Sequence, residues 1–88
     1  MFKAEVKVML RSAILDVQGK TVEHSLHSLG YGGVGHVRIG KHITLEIEAE
    51  NLQEAERIAR EISRQVLSNP VMEDFEVTVH EAEVEEAR

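Results

Sequence analysis

In Lys3-Ala4-Glu5-Val6-Lys7-Val8-Met9-Leu10-Arg11 the apolar residues Ala4, Val6, Val8 and Leu10 alternate with Lys3, Glu5, Lys7 and Arg11. A period of two predicts a strand with one face buried and the other in water. The period changes in the next stretch, Leu15-Asp16-Val17-Gln18-Gly19-Lys20-Thr21-Val22. Asp16 has the side chain of a helix N-cap, and Val17, Val22, Leu26 and Leu29 then share one helical face until Gly30 supplies a stop. A half-buried strand followed by an amphipathic helix places the chain in the mixed α and β class.

The same reasoning extends to the C-terminal half. Val37 and Ile39 point to one side of an extended segment, Gly40-Lys41 predicts a tight hairpin, and Ile43, Leu45 and Ile47 alternate with Thr44, Glu46 and Glu48. Asn51, with Glu54 three residues later, forms a capping-box-like start to a second helix, whose stripe is Leu52, Ala55, Ile58, Ala59, Ile62 and Val66. Asn69 and Pro70 end it, because proline lacks the N–H that a continuing helix needs. Phe75, Val77 and Val79 then alternate with Glu76, Thr78 and His80. The expectation is an α+β, two-layer βαββαβ domain over residues 1–80, a four-stranded antiparallel sheet with two helices on one face. The opposite face carries Lys7, Met9, Thr44, Glu46 and Thr78 and is free for water or a second subunit. Residues 81–88 read as an acidic, solvated C-terminal tail.

Composition narrows the function. A chain of 88 residues forms one small domain, a size at which oligomerisation often completes a core or a site. The net charge of −6 opposes binding to a phosphate backbone, so no nucleic acid is expected. With no cysteine there is no disulfide, thiolate nucleophile or cysteine-based zinc site. No apolar run has signal or membrane length, and the protein is read as cytoplasmic with no membrane partner.

Few residues suggest catalysis. Gly30, Gly32 and Gly35 have the spacing GxGxxG, but a dinucleotide site needs a strand before the glycines and a helix after them; here the order is reversed. His24 and His27 lie three apart on the first predicted helix without a recognisable third ligand, and His36, His42 and His80 are scattered, so no metal site is assigned. Glu56 with Arg60 and Arg57 with Glu61 read as solvated i, i+4 pairing along the second helix.

Leu15-Asp16-Val17-Gln18-Gly19 and, about one helix later, Val37-Arg38-Ile39-Gly40-Lys41 together resemble the PurS family, the small subunit of formylglycinamide ribonucleotide amidotransferase. The likeness covers nearly the whole chain apart from the tail, with Val17 where the family's usual LDPQG motif has proline. It implies a non-catalytic adaptor in purine synthesis that joins a glutaminase subunit to a synthetase subunit and supports ammonia transfer. The complex converts formylglycinamide ribonucleotide, glutamine and ATP to formylglycinamidine ribonucleotide, glutamate, ADP and phosphate. It further implies a homodimer, no cofactor held by this chain, and ATP and magnesium used by the synthetase subunit; a sheet with an open face and free edges permits a tetramer as well as a dimer.

Asp16, Gln18 and Gly19 have a local reading as a helix start, with Gly19 letting another backbone approach, and the resemblance adds a partner or oligomer interface that also includes Arg38, Gly40 and Lys41. Arg38 lies between core-facing neighbours, which predicts a guanidinium that contributes little to folding and is either solvated or offered to a partner. Two other classes share this order of elements: a regulatory ligand-binding module of the ACT type, and an acylphosphatase-like enzyme. In the latter, Val17-Gln18-Gly19 would lead to a phosphate-holding arginine, but Lys20-Thr21-Val22-Glu23 offers an acid at that place.

Overall fold

A computed structural model describes residues 1–82; residues 83–88, most of the expected tail, lie outside the described residues. The elements run β1 (Phe2–Leu10), α1 (Val17–Ser28), β2 (Gly40–Ile47), α2 (Leu52–Ile62) and β3 (Glu73–Glu81). The strands form an antiparallel sheet of order β2-β1-β3 in which Ala4 lies opposite both Leu45 and Val79. Strand β1 takes the centre, and its alternation decides the layers: Phe2, Ala4, Val6 and Val8 are buried, whereas Lys7 and its cross-strand neighbours His42 and Glu76 face water.

Helix α2 covers the apolar face. Ala55 and Ala59 are fully buried against Phe2, Ala4, Ile47 and Val79, with Leu45, Ile58 and Val77 packed around them. Two alanines on the contact line let the helix axis come close to the sheet. The Asn51 side chain accepts from the Glu54 N–H at 2.8 Å, as the sequence predicts. The helix then widens into one π-type turn at Ser63–Leu67. The Ser63 hydroxyl donates to the Ala59 carbonyl at 2.7 Å, and the Ser68 N–H reaches back to Ser63 at 3.0 Å. The wider turn shifts the helical register, so Val66, expected on the buried stripe, is exposed.

Two expectations are corrected. Among the described residues the sheet has three strands, because Val37–Ile39 does not form a strand of its own and no hairpin occurs at Gly40-Lys41. Gly40 instead continues β2 opposite Met9, and its lack of a side chain is what allows this: a Cβ there would meet the Val8 carbonyl at 2.6 Å. The expected second helix on the sheet is also absent. Helix α1 leaves Val17 and Leu29 exposed and buries only Gly19, since α2 already occupies the apolar face.

The molecule is consequently elongated, with a radius of gyration of 16.7 Å, against about 12 Å for a globular chain of this length. Helix α1 ends in a Schellman motif, in which the Tyr31 N–H donates to Leu26 and the Gly30 N–H to His27, each at 3.0 Å. Gly30 sits at φ 103°, where a side chain is disfavoured by about 1–2 kcal/mol. Gly30→Ala should therefore destabilise the protein by about 1 kcal/mol. Gly33→Ala should be neutral or slightly stabilising, since that glycine has open space around its Cβ position and no positive φ. Chemical denaturation of both variants checks the contrast; equal effects would contradict it.

Candidate functional site

The segments singled out in the sequence meet at one end of the sheet, around Asp16. Its carboxylate is 4% exposed and has two backbone donors on opposite oxygens. One Oδ accepts from the Gly19 N–H at 2.8 Å, the local N-cap bond. The other accepts from the Ile39 N–H at 2.6 Å, joining the start of α1 to the residue before β2. These bonds, Ile39 first and Gly19 second, hold the Asp16 carboxyl below its ordinary range; burial opposes them and the Arg38 charge adds to them. Gly19 completes the junction, because a Cβ there would overlap the Val37 carbonyl oxygen. The expected close approach of another backbone is thus made by the same chain.

Arg38 serves this junction too, which departs from the expectation that it contributes little to folding. Its Nη2 donates to the carbonyls of Arg11 at 3.0 Å and Ile14 at 3.1 Å, with a longer contact to Leu10 at 3.5 Å. The guanidinium therefore fixes the turn that leads from β1 into α1. The expectation rested on strand alternation, but Val37–Ile39 is not a strand, and alternation cannot reveal that the preceding turn folds back to meet Arg38. Glu23, the acid at the place where an acylphosphatase-like loop needs a cation, accepts from the Val37 N–H at 3.3 Å.

Asp16, Gln18, Gly40 and Lys41 line a cleft of about 260 Å³ together with Val8, Leu10, Ile39 and Glu73. A neighbouring cleft of about 190 Å³ includes Lys20, Glu23, His36 and Arg38. The six candidate residues are therefore one neighbourhood, in which Asp16, Gly19 and Arg38 build the turn and Gln18 and Lys41 are exposed at its surface. The same turn pushes Leu15 and Val17 outward, 65% and 67% exposed on either side of buried Asp16. The His27 Nε2 contacts the Val34 carbonyl at 2.6 Å and closes the glycine-rich loop. Among the described residues, no group of three or more histidines and acids is placed to hold a metal.

The profile of the family PurS, described as phosphoribosylformylglycinamidine (FGAM) synthase, matches residues 3–81. The chain is 40% identical over 81 residues to phosphoribosylformylglycinamidine synthase subunit PurS of Bacillus subtilis, covering 92% of this chain and 95% of that one. The crystal structure of Methanocaldococcus jannaschii PurS superposes with a TM-score of 0.85 at 32% identity, covering 94% of this chain and all of that one. A chain in the structure of PurLQS from Thermotoga maritima superposes with a TM-score of 0.82 at 38% identity, over 90% of this chain and 96% of that one.

Two substitutions probe the junction. In Asp16→Asn either amide orientation sets an NH2 group against a backbone N–H, at Gly19 or at Ile39, so the variant should melt lower than wild type despite its matched shape. Because folding lowers the Asp16 pKa, its contribution is complete above the unfolded value, about pH 4, and is lost as pH falls through the folded value. The wild-type advantage over Asp16→Asn should hence shrink as the pH drops below about 4. Arg38→Ala should cost about 1.5–3 kcal/mol, with Arg38→Lys recovering part of the loss. Thermal melts between pH 3 and 7 measure these effects; a wild-type melting point for Arg38→Ala would contradict the clamp.

Proposed function

This chain belongs to the PurS family, whose members are subunits of phosphoribosylformylglycinamidine synthase, and from that premise we propose that it is the complex's non-catalytic adaptor. In this reading it joins a glutaminase subunit to a synthetase subunit in the cytoplasm and supports the passage of ammonia between them. The observation that carries the proposal is the likeness, over nine-tenths of the chain, to a component of the Thermotoga maritima PurLQS structure. The residues agree with a division of labour. The chain has no cysteine to form a thioester with glutamine. Its glycine-rich segment leaves a helix instead of opening one, so no phosphate loop is available for ATP. The two chemical steps then belong to the partners, with ATP and magnesium at the synthetase.

An adaptor contributes position. Ammonia released into water is diluted and protonated, whereas two sites held in register pass it on at high local concentration. The Asp16 junction suits this task because its intrachain bonds fix the turn that presents Leu15, Val17 and Gln18. The interface roles of Asp16, Gln18, Gly19, Arg38, Gly40 and Lys41 are accordingly read in two tiers: Asp16, Gly19, Arg38 and Gly40 shape the surface, and Gln18 and Lys41 meet the partner.

Homodimerisation belongs to the same proposal. Helix α1 has 12 residues, too few for a helix to be stable in water without packing. Leu29 and Tyr31 at its end are 73% and 59% exposed. A second copy would cover this stripe. Sedimentation equilibrium at micromolar concentration should give a dimer or higher even oligomer. Replacing Leu26 and Leu29 together by glutamate should weaken self-association by roughly tenfold or more. A wild-type monomer throughout would contradict this part.

The functional test is reconstitution with both partner subunits. Glutamine-dependent synthesis of formylglycinamidine ribonucleotide should require this chain, and the chain alone should turn over neither glutamine nor ATP. Undiminished synthesis in its absence would overturn the adaptor role.

A further inference from the structure

Arg11, one of the polar residues that alternate through the first strand in the sequence, stands just past the end of β1 and belongs to two turns at once. On one side it holds the turn between α2 and β3. Its backbone N–H donates to the Met72 carbonyl at 2.9 Å, its Nη2 donates to the Pro70 carbonyl at 2.6 Å, and its Nε lies 3.3 Å from the Asp74 carboxylate. On the other side its carbonyl oxygen accepts from the Arg38 Nη2 at 3.0 Å and from the Ile14 N–H at 2.9 Å, both in the turn that leads into α1. The other bonds of the α2–β3 turn are local: the Val71 N–H donates to the Asn69 Oδ1 and the Met72 N–H to the Asn69 carbonyl, each at 3.0 Å. Among the described residues, the hydrogen bonds that reach residues 70–72 from outside that turn all come from Arg11. Each turn leaves two apolar side chains exposed, Leu15 and Val17 in one, Val71 and Met72 in the other.

We propose that Arg11 is a positioning residue that locks the α2–β3 turn to the Asp16 junction, so that Leu15, Val17, Val71 and Met72 are carried as one rigid surface. The inference rests on the adaptor reading above for its functional consequence and adds to it a residue outside both family motifs. The N–H and the C=O of Arg11 lie in two rigid peptide planes joined at its own Cα. With one plane held by Met72 and the other by Arg38, a single φ and a single ψ separate the two turns. The side chain makes the further attachment. Its ion pair with Asp74 is exposed and contributes little, whereas its bond to the Pro70 carbonyl is charge-assisted and directional. Both lie at the surface, so the lock acts on how often the turns open locally and not on the stability of the core.

Amide hydrogen exchange of the free full-length chain tests the lock. In Arg11→Ala the amides of Met72 and Ile39 should both exchange about tenfold faster or more, while those of Val6 and Ala59 in the core keep wild-type rates. Ile39 responds because its neighbour Arg38 is anchored on the Arg11 carbonyl. Arg11→Lys, whose ammonium has no planar fork to span Pro70 and Asp74 together, should fall between. Asp74→Asn should stay near wild type, since it removes only the exposed ion pair. Faster exchange at Met72 alone, or at neither amide, would overturn the lock and leave the adaptor reading intact. In the complex reconstituted with both partner subunits, Arg11→Ala should lower glutamine-fed synthesis about threefold or more and leave synthesis fed with ammonium chloride near wild type, because only the first needs the partner sites held in register. An equal loss with both nitrogen sources would overturn the positioning role. Undiminished glutamine-fed synthesis without the chain would overturn the adaptor reading and the functional half of this proposal with it, while the exchange rates still decide the lock.

Discussion

The buried carboxylate of Asp16 is the constraint on which the junction between β1, α1 and β2 depends. One oxygen starts α1 through Gly19, and the other fixes Ile39 just before β2. A single side chain therefore ties together two segments separated by a helix and a glycine-rich loop. Arg38 reinforces the tie from the opposite direction by gathering the carbonyls of the turn after β1. Charge-assisted bonds to backbone groups are stronger than neutral ones and leave little freedom in the positions they join. The turn is consequently a rigid platform, from which Leu15 and Val17 project because Asp16 between them must point inward.

The sequence makes the sheet legible wherever one face of a strand is buried. Ala4, Val6 and Val8 alternate cleanly with charged residues, as do Phe75, Val77 and Val79 with polar ones, and burial follows that alternation in β1. Both helix N-caps and the Gly30 stop are also readable, because each depends on side chains or φ preferences only a few residues apart. Long-range partners are not. Val37-Arg38-Ile39 has the alternation of a strand, but the Val37 and Ile39 N–H groups are satisfied by the side chains of Glu23 and Asp16 instead of a neighbouring strand. Nor does the apolar stripe of α1 state what it packs against. Read as a single chain it belongs on the sheet, yet the sheet face is filled by the two small alanines and larger neighbours of α2.

That uncovered stripe and the rigid turn point to a common logic. A small chain cannot enclose a deep catalytic site, but it can present several surfaces at fixed separations. Helix α1 stands away from the sheet, α2 covers the sheet's apolar face, and the Asp16 junction sits where β1, α1 and β2 converge. Membership of the PurS family gives those surfaces a context in a multi-subunit synthase. The proposed adaptor role requires fixed geometry between partner sites, and geometry is what intrachain bonds of this kind preserve.

The central claim is that the junction is preformed and not created by the partners. Amide hydrogen exchange of Gly19 and Ile39, measured in the free chain and again in the assembled complex, tests it most directly. The account predicts strong protection of both amides in the free chain, little changed on assembly. Rapid exchange in the free chain, with protection gained only when the partner subunits are added, would contradict it.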